Sequence, residues 1–221
     1  MATDQLFTAE PPQRSGCGRF LFFLSGCGCL VFCLLCCGVF SLGLYTFGQL
    51  ASFDPVRIVA VRQGIADLDV PEEFTPHQSF DLKIPLIEQR LVSWAVYEGQ
   101  DGESVLVLAE LGTDADEDDL EELIERLKQS LRENDAAPVE IDIEQSETHE
   151  LLIRDRPARF TLARGRPRDD GDPLEENVAG REYWLVTGTF AGHQGRGVLL
   201  LIADAAKFDR QKILDLIGSI K

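Results

Sequence analysis

Apolar and polar positions divide this chain sharply. Between Arg19 and Asp54 there is no charged residue, and residues 20–48 form an unbroken run of apolar and small side chains. About twenty consecutive apolar residues cross a bilayer core as a helix, so the run predicts a transmembrane helix over 20–48. Residues 1–19, with Pro11-Pro12, Ser15-Gly16 and little apolar content, read as a disordered tail. From Asp54 onward apolar positions recur at helical and strand spacings, the mark of a globular domain over 54–221.

Within that domain Asp54-Pro55 is a helix start, an N-cap acid followed by proline in the first turn. Asp67-Leu68-Asp69-Val70 alternates like a strand until Pro71. Arg90–Tyr97 and Ser104–Leu111 read as strands, joined by a hairpin loop at Glu98–Glu103. Asp116–Glu133 is the clearest helix: Leu120, Leu123, Ile124, Leu127 and Leu131 share one face, with acids at its start and Lys128 and Arg132 near its end. Val139, Ile141 and Ile143 alternate with acids as a half-buried strand, and Glu150–Arg154 and Ala158–Arg164 are further strands. Gly165–Gly180 is a long Gly/Pro/acid loop. The chain then reads as strand (Tyr183–Phe190), turn (Ala191–Gly195), strand (Gly197–Ala203) and helix (Arg210–Gly218), with Phe208 and Ile213 as a hydrophobic staple around an Asp209 cap. Leu199-Leu200-Leu201-Ile202 has no polar face and predicts a central strand covered on both sides.

This order predicts an α+β domain, an antiparallel sheet packed with helices and preceded by one transmembrane helix. Val70-Pro71-Glu72-Glu73-Phe74 and the final strand–turn–strand–helix ending in Ser219-Ile220 resemble the Mog1/PsbP-like sandwich family. The resemblance implies a binding or assembly accessory without a shared catalytic site, and carries no functional residue over.

The apolar run has two rivals to a signal-anchor helix. A cleaved signal peptide has an apolar core of about 7–15 residues and a small-residue cleavage site, and neither is met here. Leu24-Ser25-Gly26-Cys27 matches a lipobox, yet the sequence stays apolar well beyond Cys27. Arg14 and Arg19 before the run and Arg57 and Arg62 after it nearly balance, and Arg19 beside the span favours an extracytoplasmic domain. Ser25, Cys29, Cys33, Cys37 and Ser41 recur every four residues, a ridge of small side chains suited either to self-association of membrane helices or to lipid contact. The partners expected on this reading are the lipid bilayer and a protein partner or second copy meeting the span.

Charge and cysteine usage narrow the chemistry. The formal net charge is −17, which disfavours nucleic-acid binding. All six cysteines (Cys17, Cys27, Cys29, Cys33, Cys36, Cys37) precede Asp54, so the domain is built without disulfides or thiolate metal sites. Arg154, Arg156, Arg159, Arg164, Arg166 and Arg168 concentrate positive charge, either as an anion or acidic-partner patch or as compensation for neighbouring acids. Asp114-x-Asp116-x-Asp118 with Glu125 imitates a calcium loop, but Asp119 stands where that loop needs glycine and the leucine periodicity runs helix through it. Asp169, Asp170 and Asp172 read as an acidic loop. His77, His149 and His193 lack a Glu or Cys partner at metal-ligand spacing, and Gly192-His193-Gln194-Gly195-Arg196-Gly197 reads as a plain turn.

No nucleophile elbow, phosphate loop or dinucleotide fingerprint occurs, so no catalytic residue, cofactor or metal is assigned. The leading expectation is a single-pass envelope protein whose acidic domain binds or scaffolds a partner. A ligand-binding or sensory domain with a pocket between sheet and helix is the alternative, and a hydrolase with an unrecognised site the third.

Overall fold

In the computed structural model, which describes residues 50–84, 89–112, 115–133, 140–168 and 180–221, strand dominates the domain. The elements are β1 (Ala51–Ser52), α1 (Pro55–Ile65), β2 (Phe74–Ile84), β3 (Gln89–Gly99), β4 (Val105–Leu111), α2 (Glu117–Glu133), β5 (Ile141–Ile153), β6 (Arg156–Pro167), β7 (Tyr183–Ala191), β8 (Arg196–Asp204) and α3 (Arg210–Gly218). The strands form one eight-stranded sheet in the order β1-β2-β3-β4-β8-β7-β6-β5. Every neighbouring pair is antiparallel. Two meanders, β1 to β4 and β5 to β8, thus meet at the centre, where β8 lies beside β4.

Leu199–Ile202 occupies that centre and is fully buried. Its alternate residues serve the two faces. Leu199 and Leu201 join Leu106, Leu108 and Phe160 under Ile58 and Ile65 of α1 and Ile213 and Ile217 of α3. Leu200 and Ile202 join Val105 and Val107 under Leu131 of α2, and Leu120 packs on Ala109 and Val198. A strand apolar on both sides is what such double coverage requires.

Local chemistry starts each helix where the residues demand it. Asp54 Oδ1 accepts from the Val56 N–H at 3.1 Å, with proline in the first turn of α1. Asp116 and Asp119 accept reciprocally from each other's backbone N–H, each at 3.0 Å, closing the first turn of α2 like a capping box. Asp209 Oδ1 accepts from the Lys212 N–H at 2.8 Å, and buried Phe208 shares a cluster with Ile213.

Several expectations are corrected. The fold class is a sheet-dominated domain, with eight strands and three helices among the described residues. None of these helices is long and apolar enough to cross a membrane. The transmembrane helix expected over 20–48 lies outside the described residues, so the membrane, single-pass and signal-anchor assignments have no support in the structure. Asp67–Val70 is not a strand: Asp67 exchanges backbone hydrogen bonds with Lys221, Leu68 is buried, and Val70 packs partly buried on the same core. Phe74–Ile84, a stretch with no element assigned from the sequence, is a full strand beside β3. The alternating segment from Ile141 and the segment ending at Ile153 are one continuous strand, with a bulge between Ile143 and Gln145. Gly165–Pro167 extends β6, and residues 169–179 of the expected loop lie outside the described residues.

Candidate functional site

Two hairpin turns at one end of the sheet form a concavity whose charged lining is all arginine. The first joins β5 to β6 through Arg154 and Asp155, both with positive φ (55° and 58°), a tight two-residue reversal. The second joins β7 to β8 through Gly192–Gly195. The sheet order sets β6, β7 and β8 side by side, so both turns reach the same cavity of about 420 Å³. Arg154, Arg156, His193, Gln194 and Arg196 line it, with Ala191, Gly192 and Gly195.

The second turn is held by close backbone approach and by a buried carboxylate. A side chain at Gly195 would place its Cβ 1.8 Å from the Leu111 carbonyl oxygen, and one at Gly192 would meet Glu110 Oε1 at 2.2 Å. Glu110 is 1% exposed, and its Oε1 accepts from the N–H groups of Gln194 (2.8 Å) and Gly195 (3.0 Å). The His193 N–H goes to the Ile65 carbonyl, and the Gly192 N–H to the Gly195 carbonyl. All four amides of the turn are therefore engaged, and the loop offers no backbone cradle to a ligand. Recognition falls to side chains.

Those side chains are cationic and sparsely partnered. Arg154 donates from Nη2 to the Lys221 carbonyl. Arg196 stands 4.0 Å from the exposed carboxylate of Glu117. Arg156 is exposed, and no partner for its guanidinium is found among the described residues. Guanidinium groups present planar forks of donors that match carboxylate and phosphate oxygens. Among the described residues the lining offers three guanidinium groups, the His193 imidazole and the Gln194 amide as its polar side chains.

The structure separates the other expected site residues. Arg164 pairs with Glu182 and lies over the Trp184 ring at 5.7 Å. Arg166 reaches Glu144 and Glu182, each at 3.5 Å, and Arg168 reaches Asp142 at 2.9 Å. These are cross-strand neighbours of acids on β5 or of Glu182, and their charge is answered locally. Arg159 stands opposite Glu150 in β5 and Thr189 in β7, on a different stretch of the hairpin from the cleft. The stripe Ser25, Cys29, Cys33, Cys37 and Ser41 lies outside the described residues, as do Asp169, Asp170 and Asp172.

His77 pairs with Glu98 at 3.0 Å and His149 with Glu147 at 3.2 Å, far from each other in the sheet. Among the described residues no cluster of His, Cys, Asp and Glu could hold a metal ion. His193 and Arg196 are the cleft residues that sequence reasoning did not assign. The signal was the glycine-rich turn carrying them, which is also what any hairpin requires.

A second polar cluster, at the opposite end of β4, ties loops together. Glu103 Oε2 accepts from Arg181 Nη1 (2.6 Å) and from the Tyr183 hydroxyl (3.1 Å). Burial, with Glu103 beside it, pushes the Tyr183 phenol well above its ordinary value. Asp101 binds the Lys207 ammonium at 2.9 Å. Each carboxylate here is answered by donors from its own neighbourhood, which suits a structural clasp.

The fold and cleft define an antiparallel, helix-covered sheet domain with an arginine-lined cleft at its rim. Comparison with protein-family models, with curated proteins and with solved structures finds no match in any of the three. The chemistry of the site therefore stands on its geometry.

Proposed function

We propose that the domain is a binding module that holds a single anionic group of a partner, a carboxylate or a phosphate, in the cleft of Arg154, Arg156, His193 and Arg196. The observation that carries this reading is the convergence of three arginines from two turns on one cavity, in a chain whose net charge is −17. Surrounding acids neutralise Arg164, Arg166 and Arg168, whereas Arg156 keeps its fork open.

The overall charge supports one anionic group over a polyanion. Long-range repulsion grows with every phosphate of a nucleic acid, while a lone group feels mainly the short-range forks within a Debye length of about 8–10 Å. Titration of the full chain with inorganic phosphate and, separately, acetate tests the reading and tells the two sources apart. Saturable binding of at least one anion is expected, weakened about tenfold or more by Arg156→Ala with Arg196→Ala, since charge-assisted hydrogen bonds of this kind each contribute about 1.5–3 kcal/mol. Arg159→Ala and Arg166→Ala should leave it unchanged. Binding that ignores the cleft pair, or that tracks Arg166, would overturn it.

A further inference from the structure

The other face of the sheet carries a groove of different chemistry. Helix α2 lies over β4 and β8, where Leu120 and Leu131 are buried, and leaves the β3 residues Trp94 and Val96 only partly covered. Between helix and strands opens a cavity of about 560 Å³, within the range of about 300–1,000 Å³ usual for small-ligand sites. Its apolar wall is made by Trp94 and Val96 from β3, Val105 and Val107 from β4, and Leu127 and Leu131 from α2, with Gln78 and Ser130 as polar positions beside them. The Trp94 ring is stacked on Phe80 at 5.9 Å and 15°, which gives a flat aromatic floor at one side.

The polar end is specific. Glu98 Oε2 meets His77 Nδ1 at 3.0 Å, while Oε1 has no partner among the described residues. Among the described residues no lysine or arginine lines the groove, and Glu98 is the permanent charge there. A trough with one apolar wall that ends in a half-exposed carboxylate, within a strongly acidic protein, is complementary to a cation with an apolar body.

From this complementarity we infer that the groove between α2 and β3–β4 binds a small amphipathic cation. Its ammonium head pairs with Glu98, and its apolar body lies along Trp94, Val107 and Leu127. The site is independent of the arginine cleft, which lies at the sheet's rim and selects the opposite charge.

The intrinsic fluorescence of the full chain supplies the readout, because the two tryptophans differ. Trp184 is 8% exposed, with its indole N–H bonded to the Phe208 carbonyl at 2.9 Å, so Trp94 is the one a groove ligand touches. Octylammonium and octanoate share an apolar body and differ in head charge. Octylammonium should shift the emission saturably and bind at least about tenfold more tightly than octanoate, the scale of one charge-assisted contact. Glu98→Gln, at a half-exposed position that leaves the thermal melt intact, should bring the two probes to within about twofold. Trp94→Phe should abolish the optical signal while calorimetry still detects octylammonium, and Arg156→Ala should change nothing. Equal affinity for both probes, indifference to Glu98→Gln, or a signal that survives Trp94→Phe would overturn the inference.

Discussion

Asp101 offers the sharpest test of how the loops are fastened. It sits between β3 and β4, where Oδ1 accepts from the N–H groups of Glu103 (3.0 Å) and Ser104 (2.9 Å), and Oδ2 from the Ser104 hydroxyl and the Lys207 ammonium, both at 2.9 Å. Burial alone would raise this carboxyl, but Lys207 and the three neighbouring donors outweigh it and lower the pKa from 3.8 to about 2. That drop corresponds to about 2.4 kcal/mol at most, at 1.36 kcal/mol for each pKa unit, and solvent screening at the rim brings it to about 1–2 kcal/mol. A carboxyl depressed in the folded state contributes stability that is present above the unfolded value of 3.8 and lost as pH falls through about 2. Asp101→Asn should therefore cost about 1–2 kcal/mol at pH 7, with about half of that difference gone at pH 3. Urea denaturation of parent and variant at the two pH values measures it. Equal stability at neutral pH, or a gap that stays constant on acidification, would refute this account of the loop.

Leu120, a residue of α2 that is 1% exposed, should cost about 2–5 kcal/mol when cut to alanine, whereas Leu152→Ala, at a side chain 76% exposed, should fall within about 0.5 kcal/mol of the parent; thermal melts of both variants decide. Tyr97 and Tyr183, 2% and 0% exposed, have phenols raised chiefly by burial, with Arg62 partly opposing the shift at Tyr97. Because the unfolded chain ionises near 10 while the folded chain does not, stability should decline as pH rises above 10, and ultraviolet titration should show both phenols ionising late, together with unfolding.

What the chain revealed about itself follows the range of the interactions involved. Helices α2 and α3 were legible because their signals are local: a leucine face, acids crowding the start of α2, and the Asp209 cap beside Phe208. Strand β2 was not, because Phe74–Ile84 mixes Pro76, His77, Gln78, Asp81 and Lys83 with only a few apolar residues. Its identity comes from β3 beside it, a partner that no window of sequence contains. The cleft shows the same division. Arg154 and Arg156 stood out as charge, but only the β6-β7-β8 order carries His193 and Arg196 to their side. The groove beside α2 depends on where the helix stops covering the sheet, which is a matter of packing.

The tight reversal at Arg154 and Asp155 sets stability against recognition at a single position. Neither residue is glycine, yet both hold the left-handed conformation, at a cost of about 1–2 kcal/mol for an ordinary L-residue. Selection for folding alone would replace Arg154 with glycine, which adopts that backbone freely. Keeping arginine there retains a guanidinium at the mouth of the cleft and leaves the hairpin tip strained. A library screened only for thermostability should therefore drift toward glycine at residue 154 and lose anion binding as it does, while one screened for binding should hold arginine and accept the weaker turn.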